Sequence, residues 1–202
     1  MTTILDFDPP ARQLTRLVNG VTDDQLVART PCEAYTVGDL LDHLMGLTIA
    51  FRNAATKSTG SEDGEPAQVS RPGEASAAHL RPDWRSRLPV QLSELVAAWK
   101  DPAAWEGTTE AGGVTLPADV MGRVAINELV LHGWDLARGT GQPFACDPTI
   151  AQACFEFTSM MSAPGEEAGR EGLFGPVVEV SPDAPLFDRV LGLSGRHPSW
   201  TP

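Results

Sequence analysis

TVGDLLDHLMG, residues 36–46, and INELVLHGWDLARGTG, residues 126–141, each read as helix, and each sets potential metal ligands where helical spacing asks for core hydrophobes. His43 lies with Leu40, Leu44 and Leu47 on the apolar side of the first stretch. Glu128 and His132 are four residues apart, so a helix presents both on one face, a turn apart, among Val124, Leu131, Asp135 and Leu136. A buried polar group without a partner is costly. One metal ion shared by the three residues removes that cost, and two antiparallel helices of a bundle can bring them together. Imidazole nitrogen and carboxylate oxygen suit zinc, nickel, iron or manganese, and three protein ligands leave a position open for water or substrate. Spacing alone leaves other readings open. On spacing alone, an acid four residues before a histidine reads more readily as a solvated pair, and His43 alone more readily as a core histidine held by Asp42 or a backbone carbonyl.

Outward from these stretches, the pattern is mostly helical. A first helix is expected from Pro9 to Val18, with prolines in its first turn. NGVTDDQLVARTPCEAY then connects to a helix opened by Thr36, where Thr36 and Asp39 form a capping box, and running to about Thr56. Residues 57–80 are polar, rich in Gly and Pro and aperiodic, which predicts a flexible loop. DWRSRLPVQLSELVAAWK, 83–100, is a third helix containing Pro89. A Gly-Gly pair inside WEGTTEAGGVTLPADV predicts a small hairpin or extended segment. The next helix starts near Pro117 and carries Glu128 and His132, with Gly139 and Gly141 stopping it. Another runs from an Asp147 N-cap to about Ser162. The extension over 163–202 reads as extended segment, turn and a short helix from Ala184 to Leu193. No repeat and no strand–helix alternation is present, so 1–202 is read as one domain centred on a helical bundle.

The 27 acidic against 15 basic residues give a formal charge of −12, and no dense run of Lys or Arg could track a phosphate backbone. Nucleic acid is thereby excluded as an expected partner, and anionic membrane with it. The start, MTTILDFDPPARQLTRL, lacks the basic segment and apolar stretch of a secretory signal, so a cytoplasmic location is expected. Cys32, Cys146 and Cys154 have no C-x-x-C spacing and read as free buried thiols. Asp135 could orient His132 through its second ring nitrogen or pair with Arg138 at the surface. Trp134 reads as packing, Arg123 as a surface ion-pair partner, and His79 and His197 as solvated histidines.

At TPCEAYTVGDLLDHLMG and NELVLHGWDLARGTGQP the chain resembles the DinB-like metal-binding superfamily, in the branch of the N-terminal domain of mycothiol-dependent maleylpyruvate isomerase. The resemblance extends more loosely to the tail FGPVVEVSPDAPLFDRVLGLSGRHPSW, like that of many uncharacterised actinobacterial members. It implies a four-helix bundle in up-down-down-up order around a divalent metal, usually zinc. His43, Glu128 and His132 fall on the family's ligand positions, in the isomerase's His-Glu-His pattern rather than the three-histidine pattern of several other members.

The isomerase also carries a separate C-terminal domain that contributes to thiol and substrate binding, whereas in this sequence the metal helix leads into the shorter stretch Gly141 to Pro202. Maleylpyruvate isomerisation itself is therefore not the expected reaction. The expected function is a metalloenzyme using a low-molecular-weight thiol, a mycothiol-type S-transferase or isomerase, on a small electrophile. A non-catalytic metal-binding protein and a metal-water hydrolase are the alternatives. No catalytic base and no thiol-binding residue can be named, and either a monomer or a homodimer is compatible with the sequence.

Overall fold

A computed structural model of the chain describes residues 4–58, 75–166, 170 and 172–202. It contains helices α1 (Asp8–Gly20), α2 (Val37–Thr56), α3 (Trp84–Trp99), α4 (Ala118–Thr140), α5 (Pro148–Met161) and α6 (Leu186–Leu193), with a hairpin of β1 (Thr108–Ala111) and β2 (Val114–Pro117) before α4. The predicted elements are all present, with ends shifted by two residues or fewer. Of the loop expected over 57–80, residues 59–74 lie outside the described residues.

The helix ends follow local chemistry. Thr36 and Asp39 form the expected capping box: the Asp39 amide donates to Thr36 Oγ1 (3.3 Å) and the Thr36 amide to Asp39 Oδ2 (2.9 Å). Asp147 accepts from the amides of Thr149 and Ile150 at the start of α5. At the far end of α4, Gly141 takes the left-handed conformation (φ 67), and the Gln142 amide returns to the Ala137 carbonyl at 2.8 Å. Gly112 (φ 59) and Gly113 (φ 80) make the two-residue hairpin turn, with Ala111 paired to Val114.

Side-chain contacts establish the direction of each bundle helix. Thr48 donates to Gln91, Arg52 to Glu94 and the Trp99 indole to the Phe51 carbonyl, so α2 and α3 run parallel. Phe7 stacks on Trp99 (5.3 Å), while Arg85 at the other end of α3 donates to the Val21 carbonyl, so α1 and α3 are antiparallel. Val37 approaches Gly139 and His43 faces Glu128, which makes α2 and α4 antiparallel. Near the start of α1, Phe7 shares the Trp99–Trp105 cluster with Gly122 of α4, and near its end the Leu17 carbonyl accepts from Gln142; these two helices are parallel. The result is the up-down-down-up bundle. The hairpin packs on α2 and α4, and α5 bridges α4 to α6.

One sequence expectation changes. Gly139 does not stop α4, which continues to Thr140 before Gly141 closes it. Gly139 is instead a close-approach position: a Cβ there would lie 2.9 Å from the Arg29 carbonyl oxygen and 3.1 Å from Val37 Cγ2. The expected connection over 19–35 takes in the last residues of α1, a 3-10 turn at Asp23–Val27 and a strand-like bridge from Arg29 to Thr36. Thr30 Oγ1 donates to the Tyr35 carbonyl (2.8 Å), holding the intervening loop against the bundle.

Gly139→Ala is expected to destabilise the protein. Overpacking against an immovable carbonyl costs about 1–3 kcal/mol, more than the roughly 1 kcal/mol gained by removing a glycine from a helix. The urea midpoint should fall; a rise would overturn the close approach.

Candidate metal centre

The antiparallel pairing of α2 and α4 brings His43, Glu128 and His132 to one place. His132 Nε2 is 3.1 Å and His43 Nε2 3.8 Å from Glu128 Oε2. One ligand atom from each of the three lies within 4.8 Å of the others. The imidazoles meet edge to face with centroids 5.0 Å apart, and each histidine is 6% exposed. Tyr35, delivered by the 30–35 loop, closes over them with its ring 5.0 Å from His43 and 6.3 Å from His132. Tyr35 is the chain's single tyrosine and was not singled out by the sequence.

His43 is not anchored as a structural core histidine. Its Nδ1 is buried and makes no hydrogen bond, and the Asp42 carboxylate accepts from the Ser76 amide at 3.1 Å. By contrast, His132 is firmly held: its Nδ1 lies 3.1 Å from Asp135 Oδ2, which leaves Nε2 directed at Glu128. Asp135 is wholly buried and does not pair with Arg138, whose guanidinium donates to the Trp200 carbonyl. Its partner is Arg196 from the tail, with Nε 2.9 Å from Oδ1 and Nη2 2.8 Å from Oδ2. Arg196 stands 61 positions away in sequence, and no local pattern announces the pairing.

The electrostatics follow from these partners. Burial opposes charge on Glu128, but hydrogen bonds from His132 and then His43 outweigh it and hold the carboxyl well below the usual range. Burial likewise opposes the His132 imidazolium, yet hydrogen bonds to Asp135 and Glu128 raise its pKa to about 9. Burial lowers the pKa of His43. Without metal, then, the cluster holds an anionic Glu128, a cationic His132 and a neutral His43. Two imidazole nitrogens and a carboxylate oxygen, convergent and shielded, form a donor set that fits a divalent transition metal.

Cys32, His132 and Asp135 also bring one ligand atom each within the same 4.8 Å limit. That grouping is less suited to a cation, because Asp135 is already bonded to the Arg196 guanidinium. Burial disfavours the thiolate at all three cysteines: it pushes Cys32 up to about 11 and Cys146 up to about 12, and raises Cys154 as well. Trp134 is buried in the core, as expected of packing, and Arg123 is 3.9 Å from Glu156. His79 stands in an exposed turn and His197 in the half-buried tail, both away from the cluster.

A family model described as the mycothiol maleylpyruvate isomerase N-terminal domain matches residues 7–137, a span holding all three convergent residues. Uncharacterized proteins from two strains of Mycobacterium tuberculosis are each 28% identical over 136 residues, 67% of this chain; the chain spans 65% of their own length. The solved structures of mycothiol-dependent maleylpyruvate isomerase and of a histidine-to-alanine mutant of it match 79% of this chain and 71% of theirs, with TM-scores of 0.55 and 0.57 at 18% and 19% identity. At that identity they establish a shared fold, the DinB-like helical bundle.

Two measurements test these electrostatics. His132 has a folded pKa raised from 6.5, so its stabilising contribution is fully present below pH 6.5 and is lost as pH rises to about 9. The thermal midpoint of chelator-treated protein should fall across that window, and a flat profile would show that the imidazolium is not held. At pH 8 a thiol with pKa about 11 is roughly one part in a thousand thiolate, so iodoacetamide should label the native cysteines at a small fraction of the rate seen in denaturant.

Proposed function

We propose a function from the premise that this chain belongs to the mycothiol maleylpyruvate isomerase N-terminal domain family: His43, Glu128 and His132 hold a divalent metal ion, zinc foremost, at which a small thiol reacts with an electrophilic substrate. The observation that carries this reading is the convergence of the three ligand atoms within 4.8 Å among buried side chains, with His43 Nδ1 lacking a hydrogen-bond partner. Nickel, iron and manganese suit the same donors. The thiol is of the mycothiol type, and the reaction is S-transfer or isomerisation, carried out in the cytoplasm by 1–202 acting as one domain.

A divalent ion supplies Lewis acidity, lowering the pKa of a thiol or water at its open position. The remaining work belongs to the chain. Glu128 provides the anionic donor and His43 a neutral one, whereas His132 must release its proton to bind, so metal affinity depends on pH. Asp135 accepts from His132 Nδ1 and so directs the lone pair of Nε2 toward the centre. The Tyr35 ring covers both imidazoles and limits water there. The protein's own thiols are held protonated, so the sulfur nucleophile has to come from a co-substrate. Hydrolysis by a metal-bound water is the weaker reading, because Glu128 and Asp135 are both engaged and neither is free to act as a general base.

Purified protein should contain about one equivalent of metal per chain, and His43→Ala or His132→Ala should lose it while remaining folded. Absence of metal from the parent, or its retention in both variants, would sink the site. Holoprotein incubated with mycothiol or bacillithiol and monochlorobimane should show conjugation that chelation abolishes. Metal without conjugation would assign the ion to structural or sensory use.

A further inference from the structure

The tail of the chain reaches the centre through one side chain. Helix α6 ends in a glycine-closed cap: Gly195 adopts φ +84, its amide returns to the Gly192 carbonyl (3.1 Å), and the Arg196 amide returns to the Leu191 carbonyl (2.8 Å). Alternatives to glycine are closed off, because a Cβ on Gly195 would lie 2.7 Å from Gly175 Cα. Arg196 is thereby launched back toward α4, and it is 7% exposed. Its Nε and Nη2 grip the Asp135 carboxylate as a fork, and Nη1 donates to the Ser194 carbonyl at 3.1 Å.

We propose that Arg196 is a positioning residue for the metal centre, acting through Asp135 to fix the ring orientation and tautomer of His132. This rests on the reading of His43, Glu128 and His132 as metal ligands. A carboxylate joined to a ligand histidine can rotate; one clamped by a bidentate guanidinium does not readily do so. The clamp directs Asp135 Oδ2 at His132 Nδ1, so the Nδ1 proton stays there and Nε2 faces the ion. It also balances a buried negative charge that would otherwise compete with Glu128 for the metal's field. Arg196 lies outside the residues 7–137 that match the family model, so the positioning belongs to this chain's tail and not to the matched segment.

The test uses cobalt(II) as the probe, added to the metal-free full chain, with affinity read by competition against a chelating dye and geometry by the visible ligand-field bands. Arg196→Met should weaken cobalt binding by about ten- to a hundredfold and alter those bands, the usual scale for loss of a ligand-orienting group. Since that variant strands a buried carboxylate and can fail to fold, Asp135→Asn combined with Arg196→Met is measured beside it; no charge is stranded, and the same loss is expected. Arg196→Lys, which keeps the charge without the fork, should recover part of the affinity. Arg138→Met is the control for tail docking, because Arg138 holds the same tail through the Trp200 carbonyl without touching Asp135; its cobalt spectrum should match the parent. A folded double variant with parental affinity and spectrum overturns the proposal and leaves the metal site standing. Loss of affinity in Arg138→Met equal to that in Arg196→Met also overturns it, by reducing Arg196 to general tail packing. A folded parent that binds no cobalt overturns both the proposal and the metal reading.

Discussion

The structure depends on keeping an acid and two imidazoles between α2 and α4 without stranding any of their charges. Burial opposes the charged form of Glu128, His132 and Asp135 alike, and an unpaired carboxylate inside a helical bundle costs several kcal/mol. The fold meets this with alternating charge: Glu128, then His132, then Asp135, then Arg196. Each member is tolerable only because of the next. The row begins in the bundle interior and ends in the chain's tail, so the tail is part of the electrostatics of the centre and not an appendage to it.

That arrangement constrains topology. Glu128 and His132 need α2 to pass α4 antiparallel at a height where His43 meets them, and the glycines of α4 help set that height. Gly139 admits the Arg29 carbonyl and Val37 at one end, while Gly122 admits the Trp105 and Trp99 rings at the other. Between these two close approaches lie Glu128 and His132, about one turn apart. The aromatic cluster of Phe7, Trp99 and Trp105 keeps its indole N–H groups satisfied through the Phe51 and Trp99 carbonyls, so it fills that end of the bundle without leaving polar groups unpaired. The opposite end is tied by Gln142, which donates to the Leu17 carbonyl and to Thr140 Oγ1.

Much of this was legible in the sequence where its cause is local. The capping box at Thr36, the Asp147 cap, the Gly-Gly hairpin and the helical spacing of the apolar residues are all written within a few positions of where they act. The pairing of Glu128 with His132 is of the same kind. What was not legible depends on tertiary approach. Gly139 looked like a stop because glycine often lies just past a helix end, but here it marks a crossing with the Arg29–Thr36 bridge. The choice of Asp135 between His132 and Arg138 could not be made from spacing, because its deciding partner is Arg196, far along the chain. Tyr35 gave no signal beyond its closeness to Cys32, since a ring covering two imidazoles is recognised only when the loop bearing it is folded.

The charge row also bears on the chemistry available at the centre. Arg196 balances the negative charge of Asp135, which leaves Glu128 as the anionic donor of the convergent groups. On the proposed reading, a divalent ion held by Glu128 and two neutral imidazoles would keep a net positive charge among buried side chains. That is the electrostatic condition under which an anionic ligand such as a thiolate is favoured over a neutral one. Had Asp135 been left without Arg196, the second carboxylate would have lowered that field and weakened the same preference. The cysteines point in a consistent direction: burial favours their protonated form, so on the proposed reading they would not compete with an incoming thiol for the ion. On the proposed reading, the tail arginine and the protonated thiols would both favour an external sulfur at the centre.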